Sequence, residues 1–584
     1  MNLEDLKSPA DIKGMSIDRL NELASELRAA LLKKLAAHGG HAGPNLGMVE
    51  ATIAMHYVFD APKDKFVFDV SHQTYVHKML TGRIDAFINP DQYDSVTGYT
   101  NIEESPYDEF TVGHTSTAVS LAAGLALSRN LRGGDERVVA LVGDGALSGG
   151  EAFEGLDFGA TLDSNFIVIV NDNDMSIAEN HGGLYENLRQ LRESDGTCPV
   201  NYFRSLGYDY IYVGYGNDIR SLIDALERVK DSTRPVVVHI NTMKGHGYAP
   251  AEEHKEAFHY TAPFDEATGN PLSLDESQDY GDIFRDFMLG KMKDDRSIAV
   301  LTAGTPGSFG FGPSDRELAG KQFIDVGIAE QTAVAVASGM ARNGSRPVFG
   351  VVSSFLQRAY DQMSQDVAIN GTAPVINIFY GGSWGLRDIT HLGWFDISLV
   401  SNIPDWVYLA PTCKEEYLAM LGWSIRQHER PVAIRVPGPA VVSTGKRYDE
   451  DYSSLNRFLM EHKGSRVALI GAGDFLHLAK QAAALLSDKG IDATVINPRF
   501  LSGVDSEMLS VLEKDHEVTI TLEDGILDGG FGQKVADFYG PSPMLVKCYG
   551  LEKKFADRYR LDELLSACRL NADLIAEDVM ALLR

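Results

Sequence analysis

Short apolar runs alternate along this chain with longer stretches whose apolar positions return every three or four residues. The first kind reads as buried strand and the second as amphipathic helix. In the first part of the chain, strands are expected at residues 138–142, 166–170 and 235–240, with an amphipathic helix over 117–131 between the first α/β turns. A second series follows at 297–302, 347–352, 374–379 and 431–436, and a third at 466–470, 493–496 and 517–522. Strand and helix alternate throughout, which predicts α/β architecture with mainly parallel sheets flanked by helices. Two polar, aperiodic stretches break the pattern, at 265–282 and 443–454. They divide the chain into three expected domains, 1–265, 283–442 and 455–584.

One strand ends oddly. The run Asn165-Phe166-Ile167-Val168-Ile169-Val170 is followed by Asn171-Asp172-Asn173-Asp174-Met175-Ser176. Asn and Asp are ordinary turn residues, because they bond their own backbone and tolerate unusual φ. A second turn gives the cluster more meaning. "RVVALVGDGALSGGEAFEGL" places Gly143-Asp144-Gly145 directly after another apolar strand and ahead of a helix. Glycine there lets the backbone approach a phosphate, and a helix N-terminus favours negative charge. The carboxyl ends of parallel strands are also where ligands bind in open α/β sheets. A carboxylate from Asp144 and an amide oxygen from Asn173, with diphosphate oxygens and water, make the hard oxygen shell that Mg²⁺ requires.

The remaining composition narrows the classes. A formal charge of −29 over 584 residues disfavours nucleic acid and anionic membrane surfaces as partners. The four cysteines, Cys198, Cys413, Cys548 and Cys568, have neither zinc-ligand nor redox-motif spacing. The N-terminus lacks a signal-peptide pattern and no run reaches membrane-span length, so a cytoplasmic location is expected.

The paired Gly-Asp-Gly and Asn-Asp-Asn-Asp turns resemble the signature of the transketolase family of thiamine-diphosphate enzymes. Within it the chain is most similar to the 1-deoxy-D-xylulose-5-phosphate synthases, over nearly its full length. The resemblance implies thiamine diphosphate and Mg²⁺ as cofactors, with Asp144, Asn173 and the Met175 carbonyl on the metal and Gly145 and Ala146 at the diphosphate. It implies a homodimer acting on small molecules, pyruvate and an aldehyde. Pyruvate would be decarboxylated and its two-carbon unit joined to glyceraldehyde 3-phosphate, giving 1-deoxy-D-xylulose 5-phosphate.

The same resemblance assigns further residues. "GIAEQ" places Glu330 as the acid beside the cofactor's aminopyrimidine, and Phe355 in "SSFLQRAYDQ" as the aromatic stacked on that ring. His41, His72, His114, His259 and His391 fall on motif positions that line the family's active site, where imidazoles bind carboxylates and move protons. Gly113, Thr115, Lys244 and Tyr248 match cofactor-proximal positions.

The acceptor half departs from the family. The synthases read Asp-Arg-Ala-Gly where this chain has Phe379-Tyr380-Gly381-Gly382, so Tyr380 replaces a phosphate-binding arginine. Their Arg-Tyr-Pro-Arg-Gly is Arg435-Val436-Pro437-Gly438-Pro439 here, Val352 stands at a family tyrosine, and Asp388 matches only with a one-residue shift. Arg358, Arg387 and Arg435 are the cations left to meet a substrate phosphate beside Tyr380. Other readings therefore stay open: a different aldehyde acceptor or ketose donor, or a 2-oxo acid dehydrogenase component that serves a lipoyl carrier. "ALIGAGDFL" also hints at a dinucleotide fold, but Leu476 stands where a third glycine is required.

Overall fold

The computed structural model describes residues 2–273, 277–438 and 440–583. Its described residues form three sheets. The first holds β1 (Lys65–Phe68), β2 (Val138–Gly143), β3 (Phe166–Asp172), β4 (Asp209–Val213) and β5 (Pro235–Asn241) in the order β1-β2-β3-β5-β4, all parallel. β3 is buried on both faces, the reason its sequence is apolar without alternation. Helices Ile17–His38, Val49–Val58 and Ile219–Val229 cover one face, and Ala118–Arg132, Gly150–Gly159 and Gly183–Glu193 the other.

The second sheet holds β6 (Ile298–Thr302), β7 (Phe323–Asp325), β8 (Arg346–Val352), β9 (Val375–Phe379), β10 (Val407–Leu409) and β11 (Val432–Arg435). Their order is β10-β11-β9-β8-β6-β7, again all parallel. The third holds β12 (Leu459–His462), β13 (Arg466–Gly471), β14 (Thr494–Asn497), β15 (His516–Ile526) and β16 (Leu545–Leu551) in the order β12-β14-β13-β15-β16. β12 alone in this sheet runs antiparallel, at the edge. One core is shared between the second and third sheets: Ile376 and Ile378 pack in the same cluster as Ala468, Ile470 and Phe531.

The chain forms two compact units, Met1–Glu276 with Gly327–Ala329, and Ser277–Val326 with Glu330–Arg584. The first stretch read as a linker, 265–282, is partly helix: Asp279 caps Tyr280–Asp294 by accepting from the Asp282 amide at 2.8 Å, and the Asp282 carboxylate accepts in turn from the Asp279 amide. Acids that read as linker composition are a capping box. Residues 274–276 of that stretch, and Pro439 of the Arg435–Pro439 motif, lie outside the described residues. The second stretch, 443–454, carries no helix or strand, and Glu415 pins its start by accepting from the amides of Thr444 and Gly445.

Candidate active site

In the first unit, register brings the two polar turns together. Gly143 of β2 lies opposite Asn171 of β3, so Asp144 and the Asn-Asp-Asn-Asp cluster leave neighbouring strands at the same carboxyl edge. Asp144 is 2% exposed, and its carboxylate accepts from the Met175 amide at 3.0 Å and the Asn180 side chain at 2.9 Å. Gly145 packs so closely on this loop that a Cβ there would lie 2.7 Å from the Ser176 hydroxyl oxygen. Burial, and then the Asp172 charge, push the Asp144 carboxyl up to about 8. The Asn173 side-chain oxygen is buried with no hydrogen-bond partner. A buried carboxylate short of positive charge beside an orphaned amide oxygen fits a hard divalent cation. Among the described residues, no group of three or more His, Cys, Asp or Glu could hold a metal ion.

The neighbours of Asn173 serve a different purpose. Asp172, fully buried, accepts from Arg192 Nη1 at 2.7 and 2.8 Å and meets His239 Nε2 at 2.8 Å. Burial would raise its carboxyl, but His239 and Arg192 outweigh that and hold it below the ordinary range. Arg192 Nη2 also reaches Asp174 at 2.6 Å, and Asp174 sits at φ +60°. One guanidinium thus grips the residues on both sides of Asn173. Asn171 accepts from the Thr242 hydroxyl at 2.5 Å. The sequence reading missed Arg192, His239 and Asn180, because their partners sit on other elements.

Three of the expected histidines come together. His41 and His72 have ring centroids 5.0 Å apart, His72 and His259 5.2 Å, and His41 and His259 5.7 Å. Buried Asn45 fixes two of their loops, donating to the carbonyls of both His41 and His72 at 2.7 Å. Just before His72, Val70 and Ser71 both adopt positive φ, 56° and 66°. A β-branched residue there stores strain on the order of 1–3 kcal/mol, characteristic of a functional loop. Lys244 donates to the Ser176 carbonyl at 2.5 Å and lies 3.2 Å from His259 Nδ1. Burial lowers Lys244 to about 8, and burial with Lys244, His72 and His41 holds His259 well below its ordinary value. That imidazole is neutral near pH 7.

Gly113, His114 and Thr115 lie just ahead of helix Ala118–Arg132. The following Ser116 ties this segment to the glycine turn by donating to the Ala146 carbonyl at 2.8 Å. The Tyr248 ring packs with Phe258 and Phe264, and its hydroxyl donates to the Glu266 carbonyl at 2.9 Å.

The second unit gathers the other set at the carboxyl edge of its own sheet. Glu330 opens helix Glu330–Arg342, 3% exposed, with Oε2 lacking a hydrogen-bond partner. Burial raises its carboxyl although Arg358, at 3.8 Å, pulls the other way. Phe355 follows β8 and meets His391 edge-on at 5.6 Å. His391 Nδ1 is 2.8 Å from the Thr390 hydroxyl, and Asp388 also accepts from Thr390. Tyr380 follows β9 at φ +58°, half-buried against Trp384 at 5.9 Å, while Arg387 is exposed. Arg435 ends β11. Its guanidinium is buried between Asp396 (Nε at 2.6 Å) and Asp524, so two carboxylates already occupy the charge expected to meet a substrate phosphate.

Three family models match: 1-deoxy-D-xylulose-5-phosphate synthase over residues 3–201, transketolase pyrimidine-binding domain over 276–442, and transketolase C-terminal domain over 457–551. Among similar proteins are three 1-deoxy-D-xylulose-5-phosphate synthases. That of Pelotomaculum thermopropionicum is 36% identical, covering 99% of this chain and 96% of its own. That of Symbiobacterium thermophilum is 37% identical over 100% and 95%, and synthase 1 of Geobacter sulfurreducens 37% over 100% and 97%. With this identity along the whole chain, and a buried acid, an orphaned amide oxygen and a histidine cluster at the strand ends, the chain belongs to the 1-deoxy-D-xylulose-5-phosphate synthase family.

Proposed function

We propose that this protein decarboxylates pyruvate and joins the two-carbon unit to glyceraldehyde 3-phosphate, forming 1-deoxy-D-xylulose 5-phosphate. The observation that carries the reading is the pair Asp144 and Asn173, a buried carboxyl raised by burial beside an unpartnered amide oxygen. Asp144, Asn173 and the Met175 carbonyl would hold Mg²⁺, with Gly145 and Ala146 at the diphosphate. Bound there, thiamine diphosphate supplies the electron sink that lets CO2 leave pyruvate and a new C–C bond form.

The chain's own groups do the rest. Glu330, its carboxyl raised by burial, would face the aminopyrimidine, and Phe355 would stack on that ring. His259 is kept neutral and so accepts a proton, with Lys244 poised beside it to steady a carboxylate. His41 and His72 complete that donor wall, while His114 and Thr115 serve the cofactor and His391 the acceptor. Labour divides among 1–265 for diphosphate and metal, 283–442 for the aminopyrimidine, and 455–584. The proposal includes a cytoplasmic homodimer, as family resemblance and sequence character support; no helix among the described residues is long and apolar enough to cross a membrane.

A second reading changes only the acceptor. Tyr380 in place of a family arginine and the engagement of Arg435 by Asp396 and Asp524 favour a less anionic aldehyde. Product analysis with pyruvate and phosphorylated or unphosphorylated aldehydes separates the two. Formation of a 1-deoxyketose phosphate supports the first, and coupling only to the unphosphorylated aldehyde replaces it with the second.

A further inference from the structure

The third sheet and its helices carry none of the residues assigned to catalysis, yet they hold the segment that carries the acceptor residues. That segment leaves β9 at Tyr380, closes on itself where the Gly382 amide donates to the Gly393 carbonyl at 2.9 Å, and includes Arg387, Asp388 and His391. Its far stem is rooted in the third sheet's core: Leu392 and Trp394 pack in one cluster with Val467, Leu469 and Tyr549.

The main chain on the outer side of the loop is held by side chains and one amide of a short strap between β16 and helix Leu561–Ala567. Tyr559 donates its hydroxyl to the Ser383 carbonyl at 2.6 Å. The Arg558 amide donates to the Arg387 carbonyl at 2.8 Å. Asp557 accepts from the Ile389 amide at 3.2 Å. The Tyr559 ring also packs on Trp394 at 5.3 Å. At the loop's base, Gly382 sits at φ +97°, where a Cβ would meet the Asp524 carboxylate. Backbone groups of a loop need partners, and here partners spaced along it come from one strap. The strap therefore dictates the path of the chain between Ser383 and Ile389.

We propose that Asp557 and Tyr559 are positioning residues for the aldehyde acceptor, acting through the loop that carries Tyr380, Arg387 and His391. This rests on the synthase reading, and it gives the third sheet's lobe a part in acceptor recognition. Neither residue touches substrate; each holds a loop main-chain group whose displacement moves the side chains that do. The donor half of the reaction depends on other residues, so it is insensitive to the strap.

The test is steady-state kinetics of Tyr559→Phe and Asp557→Ala, with Asp557→Asn as the conservative variant that keeps an acceptor oxygen. Each removed bond raises the acceptor KM by about threefold to tenfold. The KM for pyruvate and the affinity for thiamine diphosphate stay within about twofold, and Asp557→Asn recovers most of the acceptor KM. Folded variants with an unchanged acceptor KM overturn the proposal, as does an equal rise in both KM values, which marks general disruption. If the unaltered protein forms no 1-deoxyketose from pyruvate and any aldehyde, the synthase reading fails instead, and that outcome is read before any variant is made.

Discussion

Replacing Arg192 by Met removes the clamp on the loop proposed to hold Mg²⁺ while keeping the side chain's length and most of its packing. Arg192 is 12% exposed, and its two bonds to Asp172 reach a fully buried carboxylate, whereas Asp174 is 64% exposed. The exposed contact is worth at most about 1 kcal/mol. The buried, charge-assisted one is worth about 1.5–3 kcal/mol, since His239 remains to Asp172. Together the loop loses about 1.5–4 kcal/mol of restraint, and Asn173, between the two gripped residues, loses its fixed position. If cation binding must restore that order, Mg²⁺ affinity falls by at least about tenfold, with a ceiling near a thousandfold. The assay is calorimetric titration of Mg²⁺ in the presence of thiamine diphosphate, with circular dichroism to confirm folding. Arg192→Lys, unable to grip both acids, falls between the two. A folded Arg192→Met protein whose Mg²⁺ affinity stays within twofold of the original refutes the clamp.

Two further outcomes follow from single groups. Glu330 has its carboxyl raised above the ordinary 4.5 by burial, so its ionisation costs folding free energy as pH rises from that value through the folded one. Glu330→Gln removes this cost. Its Tm then exceeds the original's at neutral pH, and the difference closes as pH falls towards 4.5, while turnover drops by about a hundredfold or more. A Tm difference that is constant with pH contradicts the burial argument. Tyr380→Arg restores a charge-assisted donor and lowers KM for a phosphorylated aldehyde by about tenfold to a hundredfold. An unchanged KM shows that Tyr380 does not border the acceptor phosphate.

What could be read in the sequence was what local chemistry makes explicit. Strands buried on both faces, such as β2 and β3, announce themselves as apolar runs, and the polar turns at their ends carry the proposed cation ligands. Edge elements did not. β4 is a five-residue strand largely half-exposed at a sheet edge, β12 is a short antiparallel addition, and β1 holds only Lys65–Phe68. Residues matched by family position fared unevenly. His41, His72 and His259 lie together in the first unit, whereas the Tyr248 ring packs on Phe258 and Phe264 and Arg435 pairs with Asp396 and Asp524. Asp396 and Asp524, which occupy Arg435, lie 39 and 89 positions away, beyond the reach of any local pattern. Arg192 was invisible for the same reason: its meaning comes from two acids on another element.

The reaction proposed for this protein builds a phosphorylated 1-deoxyketose from pyruvate. The most direct measurement is proton NMR of the full chain with Mg²⁺, thiamine diphosphate and methyl-labelled pyruvate, with and without glyceraldehyde 3-phosphate. A 1-deoxyketose methyl signal that grows only when the phosphorylated aldehyde is present is the predicted result. Pyruvate consumed to acetaldehyde or acetolactate at the same rate with or without that aldehyde, and no ketose signal, would contradict it.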